Sequence, residues 1–81
     1  MDAKEMQHSL GRVIQARRSK LGYSQESFAD AIGVHRTYVG SVERGERNVT
    51  LKNLLLIASG LKMPLSTLIA AAEAELLPSD S

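Results

Sequence analysis

The chain has 81 residues, a formal net charge of +1, 43% hydrophobic residues and no cysteine. That length fits one small domain, near the size at which a single core supplies only a few kcal/mol and dimerisation commonly adds the rest. Disulfides and thiolate zinc sites are excluded, and neither His8 nor His35 has acidic residues arranged around it as a metal set.

Met6, Leu10, Val13, Ile14, Arg17 and Leu21 recur at three- and four-residue steps, which predicts an amphipathic helix over roughly 4–21, stopped by Gly22. The same stretch gathers Arg12, Arg17, Arg18 and Lys20 with no acid between Leu10 and Gln25, whereas Glu73, Glu75 and Asp80 make the tail acidic. Clustering of this kind says more about a nucleic-acid partner than total charge does, although such runs are usually solvated faces. No charged start, apolar centre and cleavage site mark a signal peptide, so a cytoplasmic location is expected.

Ser24 suits the N-cap of a second helix, with Glu26 in its first turn. Phe28, Ala29 and Ile32 form its apolar face, and Gly33 ends it. A third short helix runs from about Arg36 to Glu43, buries Val39 and Val42, and closes near Gly45. The residues from Gln25 to Arg44 thus aim two short helices at a common core. Ala29 is small where they cross, and Gly33 supplies the positive φ of a tight turn. The product is a helix-turn-helix with its second helix raised onto the surface.

Thr50 caps a fourth helix over roughly 51–60, with Leu51, Leu54, Leu55, Ile57 and Ala58 apolar and Leu61 following. Pro64 cannot continue it. Ser66 is expected to cap a fifth helix, from Thr67 to about Leu76, and residues 78–81 read as a frayed end. The longest apolar runs, LLLIA at 54–58 and LIAAA at 68–72, fall far short of the ~18–20 residues that cross a membrane. With no repeat, linker or strand pattern, residues 1–81 read as a single all-α domain of five helices.

SQESFADAIGVHRTYVGSVERGERNVTLKNLLLIASGL resembles the helix-turn-helix of the lambda repressor/Cro (XRE-type) DNA-binding family. With the first helix included, the resemblance covers roughly 10–69. It is carried by Gln at the start of helix 2, Ala at the crossing, Gly at the turn, and the run V-E-R-G-x-R-N-x-T-L. The RTY opening of helix 3 and the RNVTL join are also similar to controller proteins of restriction–modification systems.

The resemblance implies a transcriptional regulator whose third helix enters the major groove of double-stranded DNA, where residues of its N-terminal half reach base edges. Those are His35, Arg36, Thr37 and, one turn on, Ser41. Gln25, Tyr38, Arg44, Arg47, Asn48 and Thr50 are expected on phosphates, although packing against helix 2 is an equal reading for Tyr38. By the same resemblance Arg18 and Glu43 form a partly buried ion pair that orients helix 3. One residue departs from the family: His35 stands where relatives place Ser, Thr, Asp or Asn as the helix cap. Either its imidazole serves DNA, or the helix start is displaced by one residue.

Leu55, Leu56, Leu65, Ile69, Ala72 and Leu76, with Leu77, are more apolar surface than one small domain buries. A two-fold homodimer through helix 5 and an edge of helix 4 is expected, and with it an inverted-repeat operator. Activation requires a surface for RNA polymerase, for which the neighbourhood of Glu43 or Glu46 is the candidate. A phage- or plasmid-type repressor, or an antitoxin-like module whose leucines cap a toxin, are the alternatives. No phosphate loop, nucleophile–base set or metal set is legible, so neither an enzyme, a cofactor nor a small-molecule substrate is expected.

Overall fold

A computed structural model describes residues 1–77. The expected frayed end at 78–81 lies outside them. Five helices follow one another: α1 (Ala3–Lys20), α2 (Gln25–Ile32), α3 (Arg36–Glu43), α4 (Leu51–Gly60) and α5 (Leu65–Leu76). Helix α1 packs on α5 and α3, α2 on α3 and α4, and α4 on α5. No single helix among the described residues is long and apolar enough to cross a membrane.

Local chemistry sets the helix starts. The Asp2 carboxylate accepts from Glu5 N at 2.8 Å, which starts α1 one residue earlier than the apolar spacing suggests. Ser24 and Ser27 cap α2 reciprocally, and Thr50 Oγ1 accepts from Asn53 N at the start of α4. Helix α5 differs from expectation: it begins at Leu65, and Ser66 lies inside it. Pro64 has the extended geometry of an N-cap and makes no side-chain cap, and its carbonyl accepts from Thr67 N and Leu68 N.

The core is continuous through all five helices. Phe28, Ile14, Leu61 and Leu68 are its largest fully buried apolar side chains, each worth roughly 1.5–3 kcal/mol in water-excluded surface. Tyr23 meets Phe28 edge-on at 5.6 Å. Two glycines decide how α3 is carried. Gly33 has φ +77°, which turns the chain sharply from α2 into α3. Gly11 lets α1 cross the end of α3, since a Cβ there would lie 2.5 Å from the Glu43 carbonyl oxygen.

The basic run of α1 divides between surface and interior. Arg12 pairs with Glu75, Arg17 Nε donates to the Leu61 carbonyl, and Arg18 turns inward to Glu43. Buried Ser9 donates to the Ala72 carbonyl at 2.6 Å, tying α1 to α5.

Candidate nucleic-acid interface

Helix α3 is amphipathic at short range: Val39 and Val42 go into the core, and His35, Arg36 and Thr37 stand exposed at its N-terminal end. His35 is the N-cap, so the helix start is not displaced. The cap is weak, with Nδ1 accepting from Thr37 N at 3.5 Å and lying 3.0 Å from Thr37 Oγ1. Arg36 lies 3.9 Å from Glu26, but both side chains are about two-thirds exposed (66% and 71%). Such a contact is screened and nearly free to break, which leaves the guanidinium available.

Beneath this surface sits a charged brace. Arg18 Nε and Nη2 donate to the two carboxylate oxygens of Glu43 at 2.6 and 3.0 Å, and Arg18 Nη1 donates to the Tyr23 carbonyl. Gln25 Nε2 donates to the same carboxylate at 2.9 Å. Arg18 and Glu43 are both buried at 8% exposure, so the pair is held by geometry and hydrogen bonds rather than by weak surface attraction. Glu43 thereby ties α1, the start of α2 and the end of α3 together. So engaged, it offers no surface to RNA polymerase, which removes it from the expected activation patch; Glu46 stays exposed.

Ser41 is not among the outward-facing residues. It is 6% exposed, its hydroxyl donates to the Tyr38 carbonyl at 2.8 Å, and its oxygen accepts from Arg47 Nε at 3.0 Å. The short side chain folds back onto its own helix, so the expected base contact is withdrawn. Ser41 instead holds Arg47.

The expected phosphate ligands divide into free and tethered groups. Asn48 and Thr50 are exposed, and Gln25 and Tyr38 are half-buried. The Arg47 guanidinium lies 5.7 Å from the centroid of the Tyr38 ring, and Tyr38 Oη accepts from Asn53 Nδ2. Arg44 is exposed and forked onto Glu46 at 3.1 and 3.2 Å. That hydrogen bond raises the Arg44 pKa and lowers that of Glu46. Because the folded value of Glu46 is depressed, the pair's contribution is present above the ordinary carboxylate range and fades as pH falls through the lowered value.

Asn53 escaped the sequence reading. It lies 15 residues from Tyr38, on another helix, and no local periodicity reports a contact of that kind. The only available signal was a polar residue in the first turn of an otherwise leucine-rich helix.

Of the expected dimer residues, Leu55 is 54% exposed, and Leu56, Leu65, Ile69 and Leu76 are half-buried. Ala72 is fully buried under α1 and cannot contact a second chain. Leu51, at 65% exposure, extends the open apolar surface of α4.

Residues 13–68 match the helix-turn-helix family HTH_3. The control protein C.SmaI of Serratia marcescens is 44% identical over 69 residues, spanning 85% of this chain and 79% of that protein. The restriction–modification controller protein C.AhdI from Aeromonas hydrophila superposes with a TM-score of 0.73 at 41% identity, over 75% of this chain and 92% of that one. The controller protein C.Esp1396I, solved as a tetramer with its natural 35 base-pair operator, superposes at 0.80 with 32% identity, over 90% of this chain and 96% of that one. This chain therefore belongs to the XRE-type HTH_3 helix-turn-helix family, with restriction–modification controller proteins among its similar relatives.

Proposed function

We propose that this protein is a sequence-specific double-stranded DNA-binding transcriptional regulator. It acts in the cytoplasm as a homodimer on an inverted-repeat operator and controls a restriction–modification operon. The observation that carries this is the raised N-terminal end of α3, where exposed His35, Arg36 and Thr37 stand on a helix braced from below by Arg18, Glu43 and Gln25. A groove-entering helix reads bases with its first turns, and reading demands a fixed approach angle. The controller role is supported by similarity to C.SmaI, C.AhdI and C.Esp1396I, the last of which is bound to operator DNA.

Arg36 is the base-reading residue of choice, because its guanidinium matches guanine O6 and N7 bidentately. Gln25, Tyr38, Arg44, Arg47, Asn48 and the start of α4 at Thr50 flank it as backbone contacts. Any contact with RNA polymerase falls to Glu46. The protein works by binding alone, with no cofactor and no catalytic step.

The test is a gel shift on the DNA upstream of its own gene, wild type against Arg36→Ala. Discrimination between this DNA and a scrambled duplex should fall by about 1–3 kcal/mol per half-site, while salt-sensitive binding persists. Unchanged discrimination removes Arg36 from base reading.

A further inference from the structure

Between α3 and α4 the structure holds a small polar assembly whose chemistry is directional. Asn53 Nδ2 donates to Tyr38 Oη at 3.0 Å. The phenol oxygen accepts there, and among the described residues its own O–H donates to no acceptor. Beside it, Arg47 lies over the same ring and is tethered through Nε to Ser41 Oγ, with its terminal nitrogens making no hydrogen bond among the described residues. Asn53 is itself well fixed: it sits in the first turn of α4, with its backbone N–H on the capping Thr50 hydroxyl. A neutral donor and a cationic donor thus stand together beside the start of α4, each positioned by a side chain from elsewhere in the fold.

We propose that Asn53 is a positioning residue for DNA-backbone recognition, holding the Tyr38 phenol as an acceptor so that its O–H is presented to a phosphate oxygen. Asn53 supplies the aim and Tyr38 makes the contact. This rests on the DNA-binding function proposed above, and it assigns to Tyr38 the backbone role rather than mere packing against α2. The phenol is uncharged, so its contact displaces no counterion, unlike that of Arg47.

The experiment measures affinity across a salt series for wild type, Asn53→Leu, Tyr38→Phe and the double variant. The probes are the duplex upstream of the gene and a scrambled duplex of equal length. Tyr38→Phe should lose roughly tenfold to a hundredfold, the range of one hydrogen bond to a charged group, and Asn53→Leu up to as much, on both duplexes alike. The double variant should lose no more than the larger single. The salt slope should stay at the wild-type value, whereas Arg47→Ala lowers it by about one. Melting curves check that the variants fold, and Asn53→Ala replaces Asn53→Leu if the latter does not. Wild-type affinity in Asn53→Leu, multiplied losses in the double variant, or a reduced slope overturns the role of Asn53 while leaving DNA binding intact. Wild-type protein that binds neither duplex overturns the DNA-binding function, and this inference with it.

Discussion

Glu43 shows how one residue converts a charge into a geometry. Its carboxylate accepts two hydrogen bonds from Arg18 and one from Gln25, away from solvent. Removing one partner of a buried pair leaves the other charged and desolvated, at a cost of about 3–5 kcal/mol. Glu43→Ala should therefore lower the thermal midpoint by more than about 10 °C, and Arg18→Met with Glu43→Leu should recover most of that loss. Circular dichroism melts decide it, and a single-variant loss below about 1 kcal/mol would falsify the brace. The residue scale is also where the sequence was least legible. Ser41 follows Thr37 by one turn, so helical periodicity put it on the reading face. Periodicity fixes direction, however, and a short hydroxyl chain can turn back to its own helix. Arg47, six residues on, then captures it. His35 was ambiguous for the opposite reason: a poor cap still caps when nothing better is present, as its long bond to Thr37 shows.

At the scale of helices and turns the sequence was nearly transparent, because Ser24, Gly33 and Thr50 act through bonds to residues within a few positions. The start of α5 was missed because two signals overlapped. Ser66 looked like a cap, but the fixed φ of Pro64 had already set the start two residues earlier. The end of α4 carries a further consequence. There Lys62 N donates to the Ser59 carbonyl and Met63 N to the Ala58 carbonyl, with Lys62 at φ 58°. Helices α1 and α3 close with the same bond pattern, but with Gly22 and Gly45 in the left-handed position. Lys62 has a Cβ to accommodate in that conformation. Its side chain is exposed, so Lys62→Gly should relieve strain without removing packing, and gain about 1 kcal/mol despite the added freedom of the unfolded chain. Chemical denaturation at unchanged m-value measures it; a loss of stability shows that the lysine stem makes contacts worth more than the strain.

The whole molecule raises a question of assembly that neither composition nor a single helix answers. The described residues carry one helix-turn-helix, so a pair of recognition helices about 34 Å apart would come from two copies. Leucine content suggested an interface but gave no way to separate residues that close the monomer from residues left over. Ala72 and Leu55 looked equivalent, yet α1 covers Ala72 entirely and leaves Leu55 more than half exposed at 54%. The separation depends on how α1 lies across α5, a contact between the two ends of the chain joined by Ser9 and the Ala72 carbonyl. With Ala72 excluded, the proposed homodimer surface contracts to Leu55, the outer edges of Leu56, Leu65, Ile69 and Leu76, and the neighbouring Leu51. In a two-fold interface any substitution is present on both faces, so Leu55→Glu places two carboxylates in one apolar contact. Because Leu55 is exposed in the monomer, the fold should melt within a few degrees of wild type. Sedimentation equilibrium should shift from dimer to monomer, and operator affinity should fall by at least about 10-fold through loss of the second half-site. A Leu55→Glu protein that remains dimeric places the interface elsewhere, whereas a monomer that keeps full affinity removes dimerisation from the binding mechanism.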